Sequence, residues 1–174
     1  MYSPVMESFL SKENIKLHLS HLNDLKLKYS ILEKSCPILH KKRYSDVYSM
    51  KLSREVKQEA LELLYKIEAH EIYFSSFCEK NQRCDFLRKY FPSKEAFLYE
   101  IFLLAKTSKS DFLFISTVKK GKPVISFEED TLMFNPLLVL DLAEHSYFGD
   151  YGFDREEYIR RAISVLDLAK LENR

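Results

Sequence analysis

The sequence predicts an α+β fold: an N-terminal antiparallel helical hairpin followed by a C-terminal α/β domain with a small three-stranded antiparallel sheet. Three observations predict it. Two long segments before residue 80 carry apolar residues at helical spacing, whereas the β-rich runs all lie after residue 111. Only three glycines and five prolines occur, as expected for long helices with few tight turns. We therefore expect two domains, residues 1–80 and 81–174.

The two helices of the hairpin are predicted from apolar residues that recur at spacings of three and four. Each row is typical of a helix packed along its length against a neighbour, and each contains one histidine. The first row is Ile15, His18, Leu22, Leu25, Tyr29 and Leu32, and the second is Val56, Ala60, Leu63, Ile67, His70, Phe74 and Phe77. The stretch between them, with Pro37 and a basic run, must turn the chain round.

The C-terminal part is predicted to hold two helices and three strands. Ser93 is a candidate N-cap for a helix that carries Phe97, Ile101 and Leu104 on one face. The runs FLFISTV (112–118) and PVISF (123–127) predict a hairpin, and LLVLD (137–141) predicts a buried strand that ends in an acid. Asp154, with Glu157 after it, begins a last helix that we expect to continue through Ala169.

Charge, hydropathy and cysteine content narrow the function classes. The net charge is +1, from 27 basic and 26 acidic residues, so no nucleic-acid partner is expected. No apolar segment approaches the roughly 18 residues needed to cross a bilayer, and no membrane partner is expected. The three cysteines are odd in number and show no CxxC spacing, which indicates reduced thiols and a cytoplasmic protein.

Four residues are candidates for one polar site. A histidine in a packed helix row, such as His18 or His70, is most often a core side chain bonded to a carbonyl. Asp141 differs, because a carboxylate at the end of an apolar run needs a partner or a metal. His145 follows four residues later and could share that partner. Three imidazoles and one carboxylate would suit an ion such as Fe or Mn better than Ca or Mg. Both interpretations, core histidines and a shared metal site, stay open on these grounds.

Four segments carry a resemblance to a known family. DLAEHSYFGDYGFDREEY (141–158) resembles the signature D-x-W-E-H-A-Y-Y, with D-Y, R and Y following at the same spacing. SKENIKLH (11–18) and EAHEIYF (68–74) are similar to the segments that carry the first two ligand histidines. FPSKEAFLYEIFLLAKTSKSDFLFI (91–115) resembles a helix and strand of the C-terminal domain. The family is that of the iron/manganese superoxide dismutases.

The resemblance implies a metal enzyme. His18, His70, Asp141 and His145 would bind one Mn or Fe ion per subunit, and superoxide would be the substrate, converted to dioxygen and hydrogen peroxide. Family members carry a glutamate that bonds across a dimer interface to the last ligand histidine of the other subunit. Glu144 has that place, so a homodimer is expected, with Tyr147 also at the interface.

The residues around the implied ligands depart from the family pattern. Leu22 and Lys26 stand where members place a histidine and a tyrosine that guard the substrate funnel, and Phe148 replaces a tyrosine. Neither His21 nor Tyr29 occupies these positions, and the two could compensate only if the helix register shifts.

The family glutamine beside the metal-bound solvent is also missing. Its two alternative positions hold Lys66 and Glu129. Either these two form a charged pair that replaces it, or both are solvated. The alternative function is therefore a non-catalytic or differently reactive metal-binding homologue that keeps the dimeric scaffold.

Overall fold

Two long helices, α1 (Lys12–Ser35) and α3 (Arg54–Ser75), pack side by side in the N-terminal part of the computed structural model. The structure describes residues 2–79, 84–118, 121–127, 131–132 and 135–172. An N-terminal helical region is followed by an α/β domain with a three-stranded antiparallel sheet, so the predicted fold class is confirmed. The predicted domain boundary falls at residues 80–81, outside the described residues, and stays a prediction.

Serine caps begin both long helices, and apolar rows join them. The hydroxyl of Ser11 accepts from the amide of Asn14, and that of Ser53 accepts from Val56. All six residues of the first predicted row are buried. In the second row Val56 and Leu63 are only partly buried, and Leu64, the neighbour of Leu63, is in the core instead.

The connection between the long helices is a short 3₁₀ turn (Pro37–Leu39) and the helix α2 (Tyr44–Ser49), which was not predicted. Glu68 of α3 holds α2 in place. Its carboxylate accepts from the backbone amide of Tyr44 at 2.6 Å and from the guanidinium of Arg43 at 3.2 Å. A charge-assisted bond to the start of α2 explains why this acid is buried.

The sheet has the strand order β2–β1–β3, with β1 at Phe112–Thr117, β2 at Pro123–Ser126 and β3 at Leu138–Asp141. Both pairings are antiparallel, and Phe112 pairs with Asp141. Helix α4 (Lys94–Thr107) precedes the sheet and is capped by Ser93, as predicted. The register places the acid of the last strand beside the start of β1, inside the core.

Two helices follow β3: α5 (Glu144–Tyr151), not predicted, and α6 (Arg155–Ser164). Helix α5 ends at Gly152, whose φ of +54° a residue with a side chain adopts only with strain. The prediction that the last helix reaches Ala169 is wrong. The chain leaves the helix at Val165 because Leu166 pairs with Phe77 and the amide of Asp167 donates to the carbonyl of Ser76.

Three hydrogen bonds, made by Ser76 and Asn14, fix the parts of the chain that carry the predicted site. The hydroxyl of Ser76, at the end of α3, accepts a hydrogen bond of 2.8 Å from the buried amide of Val139 in β3. Asn14 of α1 donates to the carbonyl of Ser146 and to the carboxylate of Asp150, both of α5. Helices α1, α3 and α5 are thereby held against the end of β3.

Among the described residues, no helix is both long and apolar enough to span a bilayer.

Candidate metal centre

The four candidate ligands, far apart in sequence, meet at the end of β3. His18 comes from α1, His70 from α3, Asp141 from β3 and His145 from the first turn of α5. One donor atom of each lies within 4.8 Å of the others. The group could therefore hold a metal ion.

The separations between the donor atoms match those around a transition metal. Oδ2 of Asp141 lies 3.0 Å from Nε2 of His18 and 3.3 Å from Nε2 of both His70 and His145. The Nε2 atoms of His70 and His145 are 3.2 Å apart. An ion with bonds of about 2.1 Å keeps neighbouring ligands roughly 3 Å apart. Three imidazole nitrogens and one carboxylate oxygen form a donor set that iron and manganese accept.

Unsatisfied buried atoms give a second sign that the residues fit an ion. Both ring nitrogens of His18 and Oδ2 of Asp141 are buried without a well-directed hydrogen bond in the part of the chain that the structure describes. Leaving such atoms unpaired in an apolar interior costs about 1–3 kcal/mol for each group, and more for a charged one. A metal at the centre of the cluster would satisfy Asp141 and one nitrogen of His18.

Hydrogen bonds outside the cluster orient the ligands. Nδ1 of His70 donates to the carbonyl of Lys66 at 2.5 Å, so Nε2 keeps its lone pair for an ion. The amide of Ala143 donates to Oδ1 of Asp141 at 3.0 Å, which leaves Oδ2 facing the imidazoles. The hydroxyl of Tyr158 donates to the carbonyl of Asp141 at 2.7 Å and fixes the end of the strand.

Aromatic rings enclose the buried side of the cluster. The ring of His18 lies 5.1 Å from that of Tyr73 and 4.9 Å from that of Phe74, and the ring of His70 lies 5.1 Å from that of Phe112. These rings exclude water from three of the four candidate ligands. The side chain of His145 is 38% exposed, so the cluster opens to solvent on that side.

Burial and proximity shift the ionisation of the cluster. Burial alone would raise the pKa of Asp141, but the nearby imidazoles of His145 and His18 hold that pKa below its usual value. Burial lowers the pKa of His70 to about 4. Burial also acts to lower the pKa of His145, but the adjacent carboxylate of Asp141 outweighs it and raises that pKa. Near neutral pH the cluster thus combines a carboxylate with a neutral His70, the forms that bind a metal.

The comparison with known families adds a match in the C-terminal part. The family described as iron/manganese superoxide dismutases, C-terminal domain, matches residues 93–174. Residues 93–174 therefore carry the C-terminal domain of the iron/manganese superoxide dismutases. No curated protein matches the chain significantly. The family match includes Asp141 and His145 but neither His18 nor His70, which the fold itself brings to the cluster.

One residue at the candidate cluster was misjudged from the sequence. His21 packs its ring against His145, at 4.7 Å between centroids, and against His70, at 5.4 Å. The expectation that it could reach the site only through a register shift is wrong. Helix α1 is uninterrupted, and positions three and four residues after His18 flank the same face. Tyr29 lies elsewhere, since its hydroxyl donates to the carbonyl of Leu39.

The positions that depart from the dismutase pattern are apolar, paired or exposed. Leu22 is buried, and Lys26 forms a half-exposed ion pair with Glu71 at 2.6 Å. Lys66 is exposed. Burial lowers the pKa of His21 and the charge of Lys66 adds to that shift, whereas for His145 the same charge only opposes the net rise in pKa. Glu129 lies outside the described residues, so its proposed pairing with Lys66 stays a prediction.

The residues predicted at the dimer interface differ in exposure. Glu144 is exposed at the start of α5, next to His145. Tyr147 is buried within the chain, with its ring stacked on that of Tyr158. The exposed aromatic residues on this side are Phe148 and Phe153, which are 47% and 94% exposed and contact each other.

Proposed function

We propose that this chain is an iron- or manganese-dependent superoxide dismutase that binds one ion per chain through His18, His70, Asp141 and His145. The observation that carries the proposal is the convergence of four donor atoms, one of them an unsatisfied buried carboxylate oxygen. Membership of the family supplies the reaction. The odd number of cysteines supports a reducing compartment, the cytoplasm.

Held by these four residues, an iron or manganese ion would supply the one-electron oxidation and reduction that superoxide dismutation needs. Two superoxide ions and two protons then yield one dioxygen and one hydrogen peroxide. The chain's contribution is to hold three imidazoles and one negative charge around the ion. The Lys66 carbonyl keeps the lone pair of His70 Nε2 directed inward. Tyr73, Phe74 and Phe112 keep water from the buried side, which leaves access beside His145.

The substitution His70→Ala tests this function. It removes one of four donors while an alanine keeps the helix intact. We expect superoxide consumption by the metal-loaded protein to fall to the rate of free metal ion, measured by pulse radiolysis or stopped flow. His40→Ala is the matched control, because His40 is an exposed histidine far from the cluster in sequence. It should consume superoxide at the wild-type rate.

The proposal fails if wild-type protein with one ion per chain consumes superoxide no faster than the free ion. That result would favour the second candidate function, a metal-binding homologue that does not dismute superoxide. Two observations favour this candidate. Leu22 places an apolar side chain where family members have a polar one, and Lys26 forms an ion pair with Glu71.

We also propose a homodimer formed through the surface beside His145. Glu144 is exposed there, and Phe148 and Phe153 form an exposed apolar pair. Such pairs at the centre of an interface are strong contributors to association.

If the protein is a homodimer, sedimentation should give the mass of two chains of 20.7 kDa each. Phe148→Asp should give single chains, because an aspartate would bury a charge in the interface. Tyr99→Asp is the matched control, since Tyr99 is also exposed but lies on α4. A wild-type protein that sediments as one chain at micromolar concentration would contradict the dimer.

A further inference from the structure

The outer face of α1 exposes apolar side chains near the end of the helix. Leu27 and Ile31 are 60% and 58% exposed, and they lie one helical turn apart on the face opposite to the buried row. Ile38, in the 3₁₀ turn that follows the helix, is also 58% exposed. Single exposed apolar residues are common, but apolar residues grouped at one place on the surface indicate a contact site.

Two hydrogen bonds hold the segment after α1 against the last turns of the helix. The hydroxyl of Tyr29 donates to the carbonyl of Leu39 at 3.1 Å, and the amide of Lys41 donates to the carboxylate of Glu33 at 3.0 Å. Ile38 is next to the first of these bonds. It therefore lies beside the same end of α1 as the exposed apolar pair.

Exposed lysines surround these apolar residues. Two of them, Lys28 and Lys34, lie three residues before and after Ile31 on α1, and the other two, Lys41 and Lys42, belong to the basic run after the 3₁₀ turn. None of the four forms an ion pair with any residue in the described part of the chain. We call this surface the hairpin patch; its members are Leu27, Lys28, Ile31, Lys34, Ile38, Lys41 and Lys42.

Positive charge is concentrated around the hairpin patch. Residues 26–43 include six basic residues and one acidic residue, a net charge of +5, whereas the whole chain carries +1 and the remainder therefore carries −4. The one acid, Glu33, already accepts the amide of Lys41. An uneven distribution of this kind turns the basic end of a protein toward a negatively charged surface.

A bilayer surface that contains anionic lipid matches both components of the hairpin patch. Acidic headgroups attract lysines, and leucine and isoleucine side chains enter the boundary between headgroups and acyl chains. A nucleic acid would attract the lysines as well, but its phosphate backbone offers no apolar surface to Leu27, Ile31 and Ile38. Contact with a bilayer surface needs no spanning helix, so the expectation of no membrane partner, which concerned spanning segments, does not extend to it.

We propose that the hairpin patch attaches the protein to the surface of membranes that contain anionic lipid. Helix α1 lies along the surface, with Leu27 and Ile31 at the level of the headgroups and the lysines beside the lipid phosphates. The row that contains His18 faces into the protein, so the attachment uses no residue of the candidate metal centre. It is therefore independent of the proposed activity.

Sedimentation of the full chain with lipid vesicles tests this attachment. The probes are vesicles of about one-third phosphatidylserine in phosphatidylcholine and vesicles of phosphatidylcholine alone. The wild type should sediment with the first and not with the second, and added salt should release it, because salt screens the headgroup charge. The double variant Lys41→Gln/Lys42→Gln should bind roughly 25-fold more weakly, about fivefold for each lysine. Ile31→Gln should bind roughly tenfold more weakly, since it removes an inserted apolar side chain.

Matched control variants change the C-terminal part of the chain. Lys89→Gln/Lys109→Gln makes the same change in net charge at two other exposed lysines, and Leu103→Gln replaces another exposed apolar residue of a helix. Both should bind the acidic vesicles as the wild type does. Circular dichroism would show that every variant keeps the helical fold.

Four results would each overturn the proposal. The first is a wild type that sediments with neither kind of vesicle, or equally with both. The second is equal weakening by Lys89→Gln/Lys109→Gln, which would show a general effect of net charge. The third is Ile31→Gln that binds vesicles as the wild type does but forms a smaller assembly, which would assign the hairpin patch to contacts between copies of the chain. The fourth is binding to polyuridylate without binding to acidic vesicles, which would assign it to a nucleic acid.

Discussion

Asp141→Asn should leave a folded chain that no longer retains iron or manganese. The substitution keeps the shape of the side chain but removes the one negative charge of the cluster and the oxygen that faces all three imidazoles. Substitutions of groups that only hydrogen-bond to a ligand already cost about 10- to 100-fold in metal affinity. We therefore expect the loss of this ligand to lower affinity by more than about 100-fold, measured by competition with a chelator.

A second carboxylate serves as the control for that experiment. Asp154 caps α6 through a bond to the amide of Glu157, and asparagine caps a helix as well as aspartate does. Asp154→Asn should bind metal with wild-type affinity. Circular dichroism would show that both variants keep the helical fold. Equal affinity of wild type and folded Asp141→Asn would contradict the assignment of Asp141 as a ligand.

Metal loading should raise the thermal stability of the chain by a large amount. An ion that binds only the folded state stabilises it by about 4 kcal/mol at a free concentration 1,000 times its dissociation constant. For a chain of this size, about 4 kcal/mol corresponds to a rise of roughly 8–16 °C in the unfolding temperature. The physical source is the satisfaction of the buried atoms of His18 and Asp141 that have no partner in the described residues.

Calorimetry of the metal-free protein with added Mn(II) measures this rise under anaerobic conditions. Magnesium is the discriminating control, because it prefers oxygen ligands and water over imidazole. It should give almost no shift, and Asp141→Asn should give none with manganese. A rise of similar size with both ions would indicate general cation binding at the surface instead.

The residues alone left two interpretations of His18, His70, Asp141 and His145 open, core histidines or a shared metal site, and the family resemblance favoured the second. His18 and His70 interrupt apolar helix rows, and Asp141 ends a buried strand. The residues alone could not predict that these four side chains lie together in the fold. Their proximity depends on the pairing of Phe112 with Asp141 and on the contacts that Ser76 and Asn14 make across the fold. The family signature provided that link in advance for Asp141 and His145.

The features that the sequence misjudged depend on non-local contacts. His21 was compared with the family by position, but a helix presents both the third and the fourth following residue beside His18. The last helix was extended along its apolar spacing, yet pairing of Leu166 with Phe77 ends it at Ser164. The stacking on Tyr158 that buries Tyr147 could not be read from spacing either, while the expected place of Tyr147 at a dimer interface stays a prediction.

The central claim is that one iron or manganese ion binds among His18, His70, Asp141 and His145. Elemental analysis after metal loading and desalting tests it most directly, with wild type and His70→Ala treated side by side. The account predicts one iron or manganese ion per chain in the wild type and none in the variant. A wild type that retains no ion, or a variant that retains as much as the wild type, would contradict it.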